Sequence, residues 1–423
     1  MVRHYFFIAF FFIINQALAQ STISGRVIDE KTNQGISGAS VYVNNSTFGG
    51  QTDANGSFTI NCKLLGKTTL IISHIGYERK VQQIEATDIK NLVFSLTPQI
   101  NRLNEVVIKS QYKREDVIKW LALFTSNLIG VYKGSNHSTK LKNNNALYFD
   151  FDKSTNNLQA FAKVPLIIEN DFLNYKIRVD LEQFEYNFNT DEIIFKYFVF
   201  YENSERKILT TSQIRKNRIF AYEGSSMHFM RLLYKDKIDD EGFGLSSYAA
   251  ELNKEKARVE KIIRQKTVDM YTTYNNPDVS IGRLFSGDTL KHYKDVLKQE
   301  SVLKTKLSPV TARKFTTKVQ GTESINFNFP DTLVVFYDLN KSSLNKRISD
   351  AMKKGNEERT GISNHTGVVK PKYLYTCMYL LKPGGINIRS NGYYPELGLF
   401  MWGDMADRRI ALSLPYDFDV TSP

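Results

Sequence analysis

The residues whose types and spacing come nearest to a chemical site in this chain lie in Gly224-Ser225-Ser226-Met227-His228-Phe229-Met230-Arg231. A Gly-Ser pair at a helix start presents free N–H groups to an anion, and a serine ahead of a helical run also caps its first turn. His228 and Arg231 follow three positions apart, which puts them one turn apart on the same side of that helix. On the functional reading, Gly224, Ser225, His228 and Arg231 build a small anion-binding site. On the structural reading, Ser225 is an N-cap and the helix packs Phe229, Leu232 and Leu233 into a sheet. The residue types alone allow both.

Other constellations are missing parts. A hydrolytic zinc site needs imidazoles and a carboxylate around an open position, typically through a His-x-x-Glu or His-Glu-x-x-His step. The six histidines are His4, His74, His137, His228, His292 and His365, and none has Glu three residues on. There is no Gly-x-Ser-x-Gly elbow and no glycine-rich phosphate loop ending in Gly-Lys-Ser/Thr. A glycosidase-type carboxylate pair needs no sequence motif, so a hydrolase with an unrecognised carboxylate site stays as the alternative. The expectation is no catalytic residue, no metal and no cofactor. Two further groups have binding chemistry. Lys346, Arg347, Lys353 and Lys354 meet an anionic glycan or lipid, or else form a solvated face, and Tyr393, Tyr394 and Trp402 stack sugar rings or else fill a core.

The elements that must position these residues begin behind an export signal. Arg3 and His4 precede an apolar run from Tyr5 to Ile14, and Ala17-Leu18-Ala19 supplies the small-x-small cleavage pattern, so residues 1–19 read as a signal peptide. The apolar run is about half the ~20 residues a membrane-spanning helix needs, and no later segment reaches that length. The expected mature product is exported, soluble or peripherally attached to membrane, in the periplasm or at the outer-membrane periphery or cell surface.

The 423 residues are 42% hydrophobic and 13% aromatic, enough for two or three domains with real cores. A formal charge of +12 favours anionic partners, or keeps the protein soluble. Export removes nucleic acid from the candidates and leaves lipopolysaccharide, acidic headgroups and charged polysaccharides. The two cysteines read as free thiols: Cys62 continues an inward alternation and Cys377 sits in an apolar strand of its own.

From Ile23 onward the apolar residues alternate in short runs: Ile23, Gly25 and Val27; Ala39, Val41 and Val43; Phe58 and Ile60; Leu70 and Ile72; Leu92, Phe94 and Leu96. Five or more strands with one apolar face describe a β-sandwich, and Asp53-Ala54-Asn55-Gly56 supplies a tight turn with a glycine suited to positive φ. The series Ile23-x-Gly25-x-Val27, Gly38-Ala39-x-Val41-x-Val43, Thr52-Asp53-x-Asn55-Gly56-x-Phe58 and Ile72-Ser73-x-x-Gly76-Tyr77 resembles the carboxypeptidase-regulatory-like domain over about residues 22–97. That resemblance implies a transthyretin-like fold and an accessory, carbohydrate-binding-like module with no catalytic residue to carry over. With the zinc ligands missing, a zinc carboxypeptidase is disfavoured.

Leu103-Asn104-Glu105-Val106-Val107-Ile108 resembles the step that follows this sandwich in TonB-dependent outer-membrane receptors, but the remaining chain is too short and too mixed for their barrel. Residues 98–113 read as a linker. Beyond it, Arg114–Leu128 has a helical face of Val117, Trp120, Leu121 and Phe124. Alternating strands then fill residues 145–202, with a one-residue slip at Glu182-Gln183 that a β-bulge accommodates. Tyr248–Arg264 and Lys341–Glu358 read as charged helices, and Thr332–Leu339 and Tyr373–Leu381 as strands. Leu166-Ile167-Ile168-Glu169-Asn170, Ala221-Tyr222-x-Gly224-Ser225-x-x-His228-Phe229-x-Arg231 and Glu241-Gly242-Phe243 resemble exported Gram-negative carboxypeptidase-like regulatory-domain-containing proteins. These pair the same sandwich with a longer α+β region and bring no known activity.

The expected architecture is thus multi-domain: signal peptide 1–19, all-β sandwich 20–97, linker 98–113, and an α+β body 114–423 rich in antiparallel sheet. The expected function is that of a non-enzymatic cell-envelope protein that binds a glycan or another envelope protein. The alternatives are the hydrolase above and a docking accessory to a TonB-dependent transporter.

Overall fold

The computed structural model describes residues 21–62, 68–84, 89–99, 112–130, 138–206, 208–274, 281–300, 302–338, 373–395 and 398–421. The expected signal peptide 1–19, the greater part of the expected linker 98–113 and the basic stretch Lys341–Glu358 lie outside them. The chain divides into two compact units, one from the described residues up to Tyr222 together with Arg408 onward, the other from Glu223 to Asp407.

The first unit opens with seven strands: β1 (Ser21–Asp29), β2 (Ser40–Val43), β3 (Gly49–Gln51), β4 (Ser57–Cys62), β5 (Thr68–Ser73), β6 (Lys80–Ile84) and β7 (Ile89–Leu96). They form two sheets, β4-β1-β7 and β3-β2-β5-β6. Ile23, Val27, Val41, Val43, Phe58, Ile60, Leu70, Ile72, Phe94 and Leu96 meet between them, the inward set that the alternation predicts. Asp53 closes the turn into β4 by accepting from the N–H groups of Asn55 and Ser57, both at 2.8 Å, and Gly56 takes φ +78°. Cys62 forms no disulfide and lies inside this core.

The alternation fails at one place, for a physical reason. All four residues of β2 are buried, as are Leu70, Ile71 and Ile72 in β5. The second face of this sheet is also covered, because Tyr42 and Ile71 pack on Phe198 and Phe200 of a third, six-stranded sheet. After helix α1 (Arg114–Ile129) that sheet comprises β8 (Thr139–Leu141), β9 (Leu147–Asp152), β10 (Asn157–Ala162), β11 (Leu166–Asn170), β12 (Tyr175–Asn187) and β13 (Glu192–Asn203). Its strand β12 pairs β13 along its full length and shares its other edge between β11 and β10. The register shifts between Leu181 and Gln183, so Glu182 is the extra residue of a bulge and Phe184 returns to the buried face. Helix α1 lays Trp120 and Phe124 on Phe149, Phe151, Phe184 and Phe195. Helix α2 (Thr211–Tyr222) follows.

The second unit starts with α3 (Ser226–Lys235), then β14 (Phe243–Leu252), α4 (Lys254–Tyr274), α5 (Ile281–Leu284) and α6 (Gly287–Leu297). Strands β15 (Val302–Val310), β16 (Thr316–Lys318), β17 (Ser324–Phe327), β18 (Thr332–Asp338), β19 (Tyr373–Leu380), β20 (Ile386–Arg389) and β21 (Leu399–Gly403) complete it, with a short helix α7 (Asp404–Asp407). A five-stranded antiparallel sheet runs β15-β14-β18-β19-β21, beside a three-stranded one, β16-β17-β20. One expectation is corrected here: Tyr248–Leu252 is strand, and the helix begins only at Lys254, after Asn253 Oδ1 accepts from the Lys256 N–H at 3.0 Å. Pairing with β15 along Tyr248–Leu252, continuous with a strand that β18 also pairs as far as Tyr248, outweighs the local charge pattern. No helix among the described residues is long and apolar enough to cross a membrane.

Candidate functional site

The structure brings Gly224, Ser225, His228 and Arg231 together at the start of α3. Ser225 is the N-cap, its Oγ accepting from the His228 N–H at 3.1 Å, and the Gly224 N–H donates to His228 Nδ1 at 3.2 Å. Through Nδ1 the His228 ring thus engages the backbone of the turn ahead of the helix. The His228 ring packs edge-on against Phe243 at 5.1 Å and Tyr337 at 5.9 Å. Arg231 Nε donates to the Asn391 carbonyl at 2.9 Å, and all three side chains are buried. Ser225 thus caps the helix, and Arg231 ties the loop at Asn391 to it.

That helix covers one face of the five-stranded sheet, and this explains the composition of the opposite face. Phe229 meets Phe243 at 5.4 Å, and Leu245, Leu333, Val335, Tyr337 and Met378 are buried on the same side. Alternation then sends the intervening residues outward, and the register aligns them in rows across the strands. One row is Leu307, Tyr248, Thr332, Tyr379 and Phe400, and the next is Pro309, Ser246, Val334, Cys377 and Trp402. A third joins Gly244, Phe336 and Tyr375. None of these thirteen residues is charged.

The rings on this face are organised. Tyr379 and Phe400 stack with centroids 5.0 Å apart and planes 30° from parallel, and Trp402 lies 6.0 Å from Tyr379. Trp402 is 43% exposed, Phe400 44% and Tyr375 56%. Gly244 leaves room for Phe336, whose ring carbons lie 2.2 Å from where a Cβ would stand. Burial pushes the Cys377 thiol up, so it stays protonated within the row. At the Tyr379 end a cavity of about 590 Å³ adds polar groups, its walls including Asn328, Asp331, Thr332 and Lys382. Flat rings beside a few hydrogen-bonding groups suit a ligand with one apolar face and several hydroxyls.

Of the three aromatics singled out from sequence, only Trp402 belongs to this face. Tyr393 is half-buried beneath the Arg389 guanidinium, 4.7 Å from its ring centroid, and Tyr394 is half-buried as well. Tyr375, Tyr379 and Phe400 were missed, although their period-two spacing around Cys377 and Trp402 is the signal that marks them. Among the described residues, no three His, Cys, Asp or Glu side chains converge as a metal-binding group.

Residues 23–108 match the CarboxypepD_reg-like domain, and they head the chain with that β-rich fold. No curated protein matches the chain. Among solved structures, it is similar to chains of two type II cohesin–X-dockerin interface mutants from Acetivibrio cellulolyticus, at 22% and 26% identity. Each match covers 18% of this chain, with a TM-score of 0.16. The chain spans about half the length of those it matches there, 52%. It is also similar to a Bacteroides fragilis protein described as membrane-associated and of unknown function, at 8% identity, covering 91% of this chain and 95% of that one, with a TM-score of 0.16.

Proposed function

We propose that this chain is an exported, non-enzymatic envelope protein that binds glycan on the outer face of the five-stranded sheet, with the CarboxypepD_reg-like sandwich as its accessory module. The observation that carries the reading is the three uncharged rows of this face, with exposed, mutually packed Tyr379, Phe400 and Trp402. Sugar rings bury their C–H faces on such rings, and Asp331, Lys382 and Asn328 lie close enough to Tyr379 to take hydroxyls. An exposed apolar patch of this kind marks a binding surface. In this reading Gly224, Ser225, His228 and Arg231 serve as a structural cap, and His228→Ala leaves anion binding unchanged.

Affinity electrophoresis of the mature protein through gels containing soluble polysaccharides, a neutral glucan, a xylan and lipopolysaccharide among them, tests the proposal. Retardation is expected in at least one gel, and Trp402→Ala weakens it about tenfold, the order expected for losing one stacked ring. Free migration in every gel overturns the proposal. Turnover of a polysaccharide that is abolished by one carboxylate substitution replaces it with the hydrolase reading.

A further inference from the structure

A cleft of about 540 Å³ opens within the first unit, between the β5–β6 hairpin of the sandwich and strands β9 to β12. Its walls bring together His74 and Arg79 from the hairpin, Tyr148 from β9, Lys163 after β10, and Arg178 and Asp180 from β12. Donors here outnumber what the protein uses. Arg79 gives one N–H to the Leu181 carbonyl at 3.1 Å, while its Nε is buried with no hydrogen-bond acceptor. Asp180 Oδ1, 3.6 Å from that nitrogen, is within ion-pair range but too far to accept its proton. Arg178 Nη1 donates to Ser40 Oγ, and its Nη2 stands 4.0 Å from Glu202. His74 Nδ1 is also buried and unpartnered. Lys163 has no ion pair among the described residues.

The acidic groups do not cancel this excess. Asp180 is buried, takes the Tyr42 hydroxyl on Oδ2 at 2.6 Å and faces Arg79 with Oδ1, so its charge is matched inside the protein. Glu78 is the other carboxylate of the lining and is exposed. Two guanidiniums and an ammonium therefore face one cleft. Glu202, outside the lining, lies within ion-pair range of Arg178 and Lys176. Arg79 Nε is left a buried donor without an acceptor, which is rare unless something else completes it. Tyr148, stacked on Phe161 at 5.2 Å and 16°, gives the cleft a flat wall.

We propose that this cleft binds a small molecule through an anionic oxygen group, a carboxylate or a phosphate. The Arg79 and Arg178 guanidiniums supply forked donors, Lys163 a mobile charge, and Tyr148 a surface for the body of the ligand. This site does not depend on the glycan face.

Calorimetric titration of the mature protein with sodium phosphate and, separately, with sodium galacturonate tests it. Binding of one or both is expected at low salt, weakening as salt rises. Binding of phosphate alone assigns a phosphate ligand, and binding of galacturonate alone a carboxylate one. Lys163→Gln, which touches no packed core, weakens binding about tenfold with an unchanged melting temperature, and Arg178→Lys weakens it while keeping the charge. Trp402→Ala leaves it unchanged, which separates this site from the glycan face. Absence of heat with both anions overturns the proposal, as does wild-type affinity in both Lys163→Gln and Arg178→Lys.

Discussion

Glu255, at the start of α4, is a side chain tuned by its partners rather than by burial. Its carboxylate accepts from the Arg258 guanidinium at 2.6 and 2.8 Å and sits 3.1 Å from His292 Nε2 on α6. The hydrogen bond from Arg258, then that from His292, holds the carboxyl down at about 2, against an ordinary 4.5. A carboxylate lowered in the folded state contributes stability that is present above its unfolded value and lost as pH falls through the folded one. The window is therefore pH 4.5 down to about 2. The pair is exposed to water and salt, so the effect on global stability is small. Carbon-detected NMR should show the Glu255 carboxyl titrating near 2, and Arg258→Ala should move that midpoint up toward the ordinary value. A wild-type midpoint at 4.5 refutes the assignment.

At the scale of elements, strand pairing explains both the glycines and the errors of sequence reading. Gly25 sits where β7 runs parallel to β1, and a Cβ there would stand 2.3 Å from the Leu92 carbonyl oxygen. That contact is with backbone, so nothing yields without opening the pair. Gly25→Ala should cost about 2–3 kcal/mol in urea unfolding, whereas Gly50→Ala, whose Cβ meets nothing within 4 Å, should stay within about 0.5 kcal/mol. Equal midpoints for the two variants would refute this. Gly25 is legible as part of an alternating strand but not as a close approach, because no local pattern names Leu92. The bulge at Glu182 is legible, since Phe184 and Tyr186 resume the apolar register one residue late. Tyr42 and Ile71 carry the opposite lesson. They break the alternation of β2 and β5 with large apolar side chains, and that break is itself the sign of a second covered face. The aromatic face is written in the sequence as Tyr375-x-Cys377-x-Tyr379 and Phe400-x-Trp402, but period two does not say which face is buried. Only α3, packed on the other side, decides it.

At the scale of the whole molecule, the chain closes its first unit with residues that arrive last. Arg408 donates to the Ala221 carbonyl at 3.0 Å, and the Ala411 carbonyl accepts from Asn170 at 2.9 Å. Tyr201 and Ser413 join their hydroxyls at 2.7 Å, and Asp417 accepts from the Thr47 N–H at 2.9 Å. Ile410, Ala411, Leu412 and Leu414 are buried with them. One short segment thus satisfies polar groups on the six-stranded sheet, on α2 and on the sandwich loop after β2. Asn170 is 1% exposed, and removing its acceptor leaves a buried amide donor without a partner. Leu412→Ala keeps that acceptor, the Ala411 carbonyl, and should cost about 2–4 kcal/mol, the range for emptying a buried leucine site. Deletion of residues 408–423 should cost more, because polar groups are orphaned together with the lost packing. Because none of these contacts belongs to residues 223–407, the loss should fall on one unfolding transition. Calorimetry of the full chain should resolve two transitions, of which Leu412→Ala lowers only one. Tyr379 and Trp402 fluorescence and their glycan retention should follow the transition that stays in place. A uniform downward shift of both transitions would show instead that the two units unfold as one cooperative body.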